Sequence, residues 1–424
     1  MKRSTGAVVI VAAAAIPRLL VLMRERETIL EEFVDKSDRF ATTLVDHGTF
    51  GFLPDVPSAY TQPLYGWFLA ALYFPFGRSW LAVGIAQVVV AVATALVVFE
   101  IGSRLRSTGV GLVAALITTL HPYVIWHDVH LNREVLDGLV LAVLALCALA
   151  AYERRSLPLS ALTGAVGGIA ILGNARLLLL PLAIAVYVAW RIVPLFRTVT
   201  AMVLVAGVAA LVVAPWVARN KIEVGCYAIT TDSRALWKAN NPNTRAVLDR
   251  GLWIDDVPGL PGAPPWPEYA ADLTLAGTPT SADECAQMRL YRDEVVDFWR
   301  EQPGEKGLLA LQATRMLWSP VPRESDDGGS GAARLARKTV EPAFVIALYL
   351  LALVGFFVAP PHFVGLAAVM LAYNTLAAMV FAGSVRYRTP WDFLLALLAA
   401  FALAAAWERV RRRRPAYAGV SARS

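Results

Sequence analysis

Three groups of residues have the types and spacing to do chemistry. Glu31, Glu32, Asp35 and Asp38 place four carboxylates within eight residues, and the segment runs on through Gly48-Thr-Phe-Gly-Phe to Tyr60 and Gln62. Such a run is either a solvated charged face or the seat of a general base. A carboxylate that takes a proton from a hydroxyl contributes about 10²–10⁴ in rate. The second group is Glu134, preceded by His121, His127, Asp128, His130 and Arg133. A carboxylate at membrane depth is expensive and marks a candidate site; alternatively, Arg133 and Glu134 only open a helix among the headgroups. The third is Arg386-Tyr387-Arg388. Its planar guanidiniums suit a lipid-linked phosphate, or they snorkel at the interface. Arg176 stands in the same position at another apolar run and carries the same two readings. The three histidines with Asp128 could bind a metal but match no specific zinc spacing, so no metal ligand is assigned, no cofactor is certain, and a divalent metal is possible but not indicated. There is no phosphate-cradling glycine loop, nucleophile elbow or Cys-x-x-Cys.

The elements that must position these residues are membrane helices. The 424-residue chain is 57% hydrophobic and 17% charged, with a mean hydropathy of +0.54. Soluble domains run at about 45–50% apolar and about 25% charged. The apolar excess lies in blocks long enough to cross a hydrocarbon core of about 30 Å, which excludes a soluble enzyme, a disulfide scaffold and a disordered chain. Ten crossings are expected, near 6–23, 80–102, 108–125, 134–152, 158–173, 176–194, 198–217, 340–358, 361–382 and 390–407. The first follows Lys2-Arg3 and reads as a retained signal anchor. Arg104 with Arg106, Arg154 with Arg155, and Arg191 with Arg197 mark inner loops, and Arg411 to Arg414 an inner tail. Together they give an N-in, C-in all-α polytopic protein. The net charge of +6 is therefore a topology signal and not a nucleic-acid stripe.

This divides the chain into an N-terminal transmembrane module (1–217) with a catalytic first outer loop (24–79), a mixed extracytoplasmic loop module (218–339), C-terminal transmembrane helices (340–407) and a basic cytoplasmic tail (408–424). Residues 63–77 read as a short amphipathic helix at the outer interface. Gly164, Gly167 and Gly168 mark 158–173 as a closely packed helix. In the loop module, Ser281-Ala-Asp-Glu284 is a capping-box pattern opening a helix to about Arg300, and Pro303 starts another that suits the membrane surface. Residues 258–267 read as an irregular proline-rich loop, and 322–338 as a mobile segment without an apolar face. Cys226 and Cys285 are either bonded or free; Cys147 is mid-span packing.

Taken in order, these residues resemble the GT-C superfamily of integral-membrane glycosyltransferases, and within it the bacterial glycosyltransferase family 39 and protein O-mannosyltransferase-like group. The resemblance is carried by Asp35…Arg39-Phe40-Ala41…Gly48-Thr-Phe, Pro63-Leu64-Tyr65 with Phe76-Gly77, and Arg133-Glu134-Val-Leu. It continues in Asn174-Ala-Arg176, Pro215-Trp216-Val-Ala-Arg219-Asn220 with Asn240-Asn241-Pro242, and Arg386-Tyr387-Arg388-Thr-Pro390. Two departures stand out. Asp35 is followed by Lys36 where many relatives have Asp-Glu, so the base is either Asp35, favoured by its distance to Arg39-Phe40-Ala41, or Asp38. Thr61-Gln62 stands where relatives carry an acid or histidine, which weakens the case for metal. The resemblance implies a polyprenyl-phosphate sugar donor used on the outer face of a bacterial plasma membrane, with inversion at the anomeric carbon. It implies Asp35 as base, Glu134 as a positioning or assisting acid, and Arg386, Arg388, Tyr387 and Arg176 around the donor phosphate. Tyr60, Gln62 and His130 fall on the acceptor side. Mannose and arabinofuranose are both reasonable sugars; the acceptor is a glycan, a glycolipid or a protein. The rival reading, a lipid-linked sugar flippase or other transporter, requires charged residues and broken helices near mid-membrane.

Overall fold

A computed structural model describes all residues except 1–2, 33, 261–282, 322–330 and 414–424. Its regular elements are helices; among the described residues the only β-type pairing is one isolated bridge, Leu53 to Val56. In chain order the first are α1 (Arg3–Glu25), α2 (Ser37–His47), α3 (Pro63–Phe76), α4 (Trp80–Leu105), α5 (Thr108–Thr119), α6 (Pro122–His127) and α7 (Glu134–Arg154). They are followed by α8 (Leu157–Gly173), α9 (Leu180–Ala189) and α10 (Leu195–Glu223). The loop module supplies α11 (Arg234–Lys238), α12 (Thr244–Asp249), α13 (Glu284–Glu301) and α14 (Pro303–Leu317). The chain then returns through α15 (Gly331–Val358), α16 (Pro361–Val380), the short α17 (Val385–Arg388) and α18 (Asp392–Arg413).

Seven helices among the described residues are long and apolar enough to cross a membrane: those within Arg3–Leu30, Trp80–Leu105, Glu134–Arg154, Leu195–Glu223, Lys338–Val358, Pro361–Val380 and Val385–Arg412. The other three expected crossings are shorter apolar helices, Thr108–Thr119, Leu157–Gly173 and Ala175–Ala189. The protein is thus polytopic, and ten apolar segments are present, but three fall short of a full span. Ser79, Ser107 and Ser156 set three helix starts, each accepting from the backbone N–H three residues on, as serine N-caps do. The α18 helix is buried on every side from Asp392 to Ala402; α5 and α15 pack against it, and α7 and α16 share its apolar core. Gly164 and Gly168 of α8 lie directly against the α10 backbone; a Cβ there would stand 2.5 Å from Val205 O and 2.8 Å from Ala209 O.

Several local expectations shift. The 63–76 helix is apolar on its exposed side as well, with Trp67, Phe74 and Phe76 outward. It therefore suits a hydrocarbon surface more than a two-faced interfacial helix. The cap of α13 is Asp283, whose carboxylate accepts from Ala286 N at 2.8 Å. Ser281 lies outside the described residues, and Glu284 accepts hydrogen bonds from Ser58, Ala59 and Thr231. Residues 331–338 form the first two turns of α15, because Ala, Arg, Leu and Lys extend a helix readily from a preformed span. Residues 322–330, and 261–267 of the proline-rich loop, lie outside the described residues. The Pro303 helix forms as expected, with its proline at the first turn. Cys226 and Cys285 are disulfide-bonded, whereas Cys147 is free and half-buried.

Candidate active site

Asp35 is fixed by both neighbours of its loop. Its N–H donates to Leu131 O at 2.9 Å, and its Oδ1 accepts from Ser37 N at 2.9 Å and Ser37 Oγ at 2.7 Å. The strap it leans on, residues 128–132, is itself tied into the bundle. Gln87 Nε2 donates to the Asp128 and His130 carbonyls at 2.8 Å each, and Arg18 of α1 pairs with Asp128 at 2.8 Å. On the other side, Arg219 of α10 donates to Ser58 O and Phe50 O, holding the first outer loop down. Gly48 closes α2 in the left-handed region, φ 71°, where a side chain would strain the turn.

The free oxygen of Asp35 faces Arg386. Asp35 Oδ2 lies 3.7 Å from Arg386 Nη2, while Arg386 Nε donates to Glu134 Oε1 at 2.5 Å. Arg386 is oriented at the start of α17, where Ser384 Oγ caps its N–H. Around this pair a cavity of about 550 Å³ opens between the helix ends and the loop module, lined among others by Asp35, Tyr60, Gln62, Arg133, Arg176, Arg386 and Tyr387. Arg133 Nη1 donates to Gln62 Oε1 at 2.7 Å, and its buried Nε has no hydrogen-bond partner among the described residues. Arg176 donates to Ala382 O at 2.7 Å and lies 4.1 Å over the Tyr387 ring. Lys36 bonds Asp232 at 2.5 Å and lies 4.2 Å over Tyr60.

Six of the ten expected site residues therefore meet at one cavity: Asp35, Tyr60, Gln62, Arg176, Arg386 and Tyr387. Glu134 stands directly behind, 5% exposed, as the counter-ion of Arg386. Three are elsewhere. Asp38 faces the opposite way from α2: it accepts from Tyr73 OH at 2.5 Å and from Arg78 at 2.8–3.1 Å. Its pairing holds α2 to α3, and no lone pair points to the cavity. His130 is 1% exposed, stacked 3.9 Å from Trp126 inside the strap. Arg388 is fully buried and bonds Asp392, Ser319 O and Tyr349 OH; it pins α17 to α18 and α15. Lys36, Arg133, Asp232, Arg234, Lys238, Trp253 and Asp255 also line the cavity. Arg133 is flagged in the sequence by its neighbour Glu134. The loop-module residues carry no motif that separates them from other polar loop positions. Among the described residues no group of three or more His, Cys, Asp or Glu side chains is arranged to hold a metal ion.

The family model described as dolichyl-phosphate-mannose-protein mannosyltransferase matches residues 55–218. The membrane fold is shared along the chain: the archaeal oligosaccharyltransferase AglB from Archaeoglobus fulgidus, solved with an inhibitory peptide and a dolichol-phosphate, superposes with a TM-score of 0.50 at 11% identity, over 99% of this chain. The chain spans 52% of the length of AglB. ArnT from Cupriavidus metallidurans, in its apo state, has a TM-score of 0.40 at 14% identity, covering 97% of this chain and 80% of its own. No curated protein matches the sequence significantly. The matched stretch carries Tyr60, Gln62, Glu134 and Arg176, while Asp35 and Arg386 lie outside it and reach the cavity through the fold.

A buried carboxylate joins the contacts that dock the loop module. Glu284 accepts from Ser58 Oγ (2.5 Å), Ala59 N (3.0 Å) and Thr231 Oγ1 (2.8 Å), beside the Cys226–Cys285 disulfide. Burial raises its carboxyl above the usual carboxylate range, against the lowering effect of Ser58, Thr231 and Ala59. A carboxyl that holds its proton more tightly folded than unfolded stabilises the fold at acid pH. That contribution is lost as pH rises through the raised value. Limited proteolysis of the loop module is therefore expected to quicken as pH rises through that window. In Glu284→Gln the rate should lose this pH dependence; an unchanged profile would remove Glu284 as its source.

Proposed function

We propose that this chain is a membrane glycosyltransferase of the GT-C type. It transfers a sugar from a polyprenyl-phosphate donor to an acceptor hydroxyl at the extracytoplasmic face of a bacterial plasma membrane. The observation that carries the reading is the meeting of Asp35 with Arg133, Arg176 and Arg386 on one cavity at the helix ends. Asp35 Oδ2 takes the proton of the acceptor hydroxyl. The hydroxyl oxygen forms its bond to the anomeric carbon from the face opposite the phosphate, the bond to the phosphate oxygen breaks, and the electron pair leaves on the lipid phosphate. One displacement inverts the anomeric configuration. The leaving group is a stable anion and needs no general acid.

Charge favours an anionic phosphate donor. The cavity is lined by Lys36, Arg133, Arg176, Arg234, Lys238 and Arg386 against Asp35, Asp232 and Asp255, and with Glu134 behind Arg386 it stays net positive. Preorganised charges of this kind are often the largest catalytic term. Glu134 keeps Arg386 aimed, and Gln62 does the same for Arg133. The dolichol-phosphate in the AglB structure and the mannosyl-phosphate donor in the description of the matching family belong to the same ligand class. The sidedness rests on the basic inner loops.

The test is sugar release or transfer by the purified chain in detergent, from a panel of polyprenyl-phosphate sugars that includes mannose and arabinofuranose. Turnover to an acceptor or to water is expected for one donor. Binding of donor with no turnover would overturn the reading and favour a flippase, measured next in vesicles.

A further inference from the structure

The donor reading occupies only the membrane-side wall of the cavity. The opposite wall belongs to the loop module and has another chemistry: Trp253, Asp232, Arg234 and Asp255 line it. Trp253 is half-buried, packed with Ile254, Leu248 and Ala382. Its turn is rigidly built. Trp253 N donates to Asp256 Oδ2 at 2.8 Å, and Lys238, at the end of the helix that begins with Arg234, bonds the Asp255 carbonyl. Asp232 is held between Lys36 and Ala235 N. The two walls meet at Tyr387, which carries Arg176 on one side at 4.1 Å and lies 6.4 Å from Trp253 on the other.

An aromatic face edged by carboxylates and a guanidinium fits a sugar ring. The C–H face of a pyranose or furanose lies on the indole, and the ring-edge hydroxyls bridge a carboxylate acceptor and a guanidinium donor. Few polar groups converging on an aromatic wall are the usual build of a specific small-ligand site, and tryptophan supplies large contact area at low entropic cost. A peptide acceptor would instead draw on an open strand edge or an apolar groove, and no strand is present among the described residues. Strongly anionic acceptors are disfavoured by Asp232 and Asp255, which offset the cations of this wall.

We propose that this wall is the acceptor subsite and that the acceptor is a neutral glycan, with Trp253 as its stacking platform. The assignment rests on the glycosyltransferase reading above. It is tested on the full chain in detergent, with the donor that turns over, against short oligosaccharides and octyl glycosides on one side and a serine- and threonine-rich peptide on the other. Trp253→Ala is expected to raise the KM of the best glycan by about tenfold while the donor KM moves by less than about twofold; Trp253→Phe recovers most of the loss. A glycan KM unchanged in Trp253→Ala, a loss that Phe does not recover in a well-folded variant, or preferential modification of the peptide would overturn it. Donor hydrolysed to water with no glycan competing would overturn the acceptor alone. Donor neither hydrolysed nor transferred by the wild type would remove the transferase reading, and the acceptor with it.

Discussion

Asp35→Asn is expected to lower kcat by about 10²–10⁴, the range for loss of a positioned general base, with donor KM nearly unchanged. The amide keeps the shape of the carboxylate and can still accept from Ser37, so the loop should hold. What is lost is the proton acceptor at Oδ2, 3.7 Å from Arg386. Asp38→Asn, three residues on, is the matched control and should behave in the opposite way. Its carboxylate holds Arg78 and Tyr73, and weakening a buried charged hydrogen-bond set costs about 1–3 kcal/mol. The variant should melt earlier and express less, yet each folded molecule should turn over near the wild-type rate. Single-turnover transfer and a thermal melt on both variants decide the matter. If Asp38→Asn abolishes transfer in well-folded protein while Asp35→Asn does not, the base has been misassigned.

Arg386→Gln should damage activity and stability together. As a phosphate-binding group its removal costs about 10²–10³ in kcat/KM for donor, by analogy with loss of one preorganised donor from an oxyanion site. As the partner of Glu134 it leaves a carboxylate that is 5% exposed without its counter-ion, a loss of about 3–5 kcal/mol. The two effects separate in a double variant. Glu134→Gln added to Arg386→Gln removes the stranded charge, so the melting temperature should recover while activity does not. Arg386→Lys keeps the charge but loses the planar fork that reaches Glu134 and Asp35 at once; it should recover stability better than rate. Recovery of activity in the double variant would mean that Arg386 acts on the fold alone.

The sequence by itself determined much of this protein. Long apolar blocks fixed a polytopic helical chain, because lipid leaves backbone groups no partner outside a helix. Serine caps at 79, 107 and 156, Pro303 and Gly48 are local signals, read within three or four residues, and the elements follow them. Asp35, Arg176, Arg386 and Tyr387 are singled out by residue type and order along the chain, and the fold brings these four to one cavity. Tertiary structure decided the rest. Asp35 and Asp38 sit on either side of a helix start, and only the positions of Tyr73 and Arg78 show which carboxylate is consumed by packing. Arg386 and Arg388 are two residues apart on one short turn and so point apart, one to the cavity and one to Asp392. His130 was drawn into the strap by Gln87 and Trp126, contacts made across 43 and 4 residues. Glu284, read as half of a local capping box, spends its oxygens on Ser58 and Thr231, 226 and 53 residues away. The wall with Trp253, Asp232 and Asp255 carries no motif at all. A side chain's type sets what it can bind. Which neighbour arrives first to bind it depends on how distant helices pack, and that is not written in any short stretch of the chain.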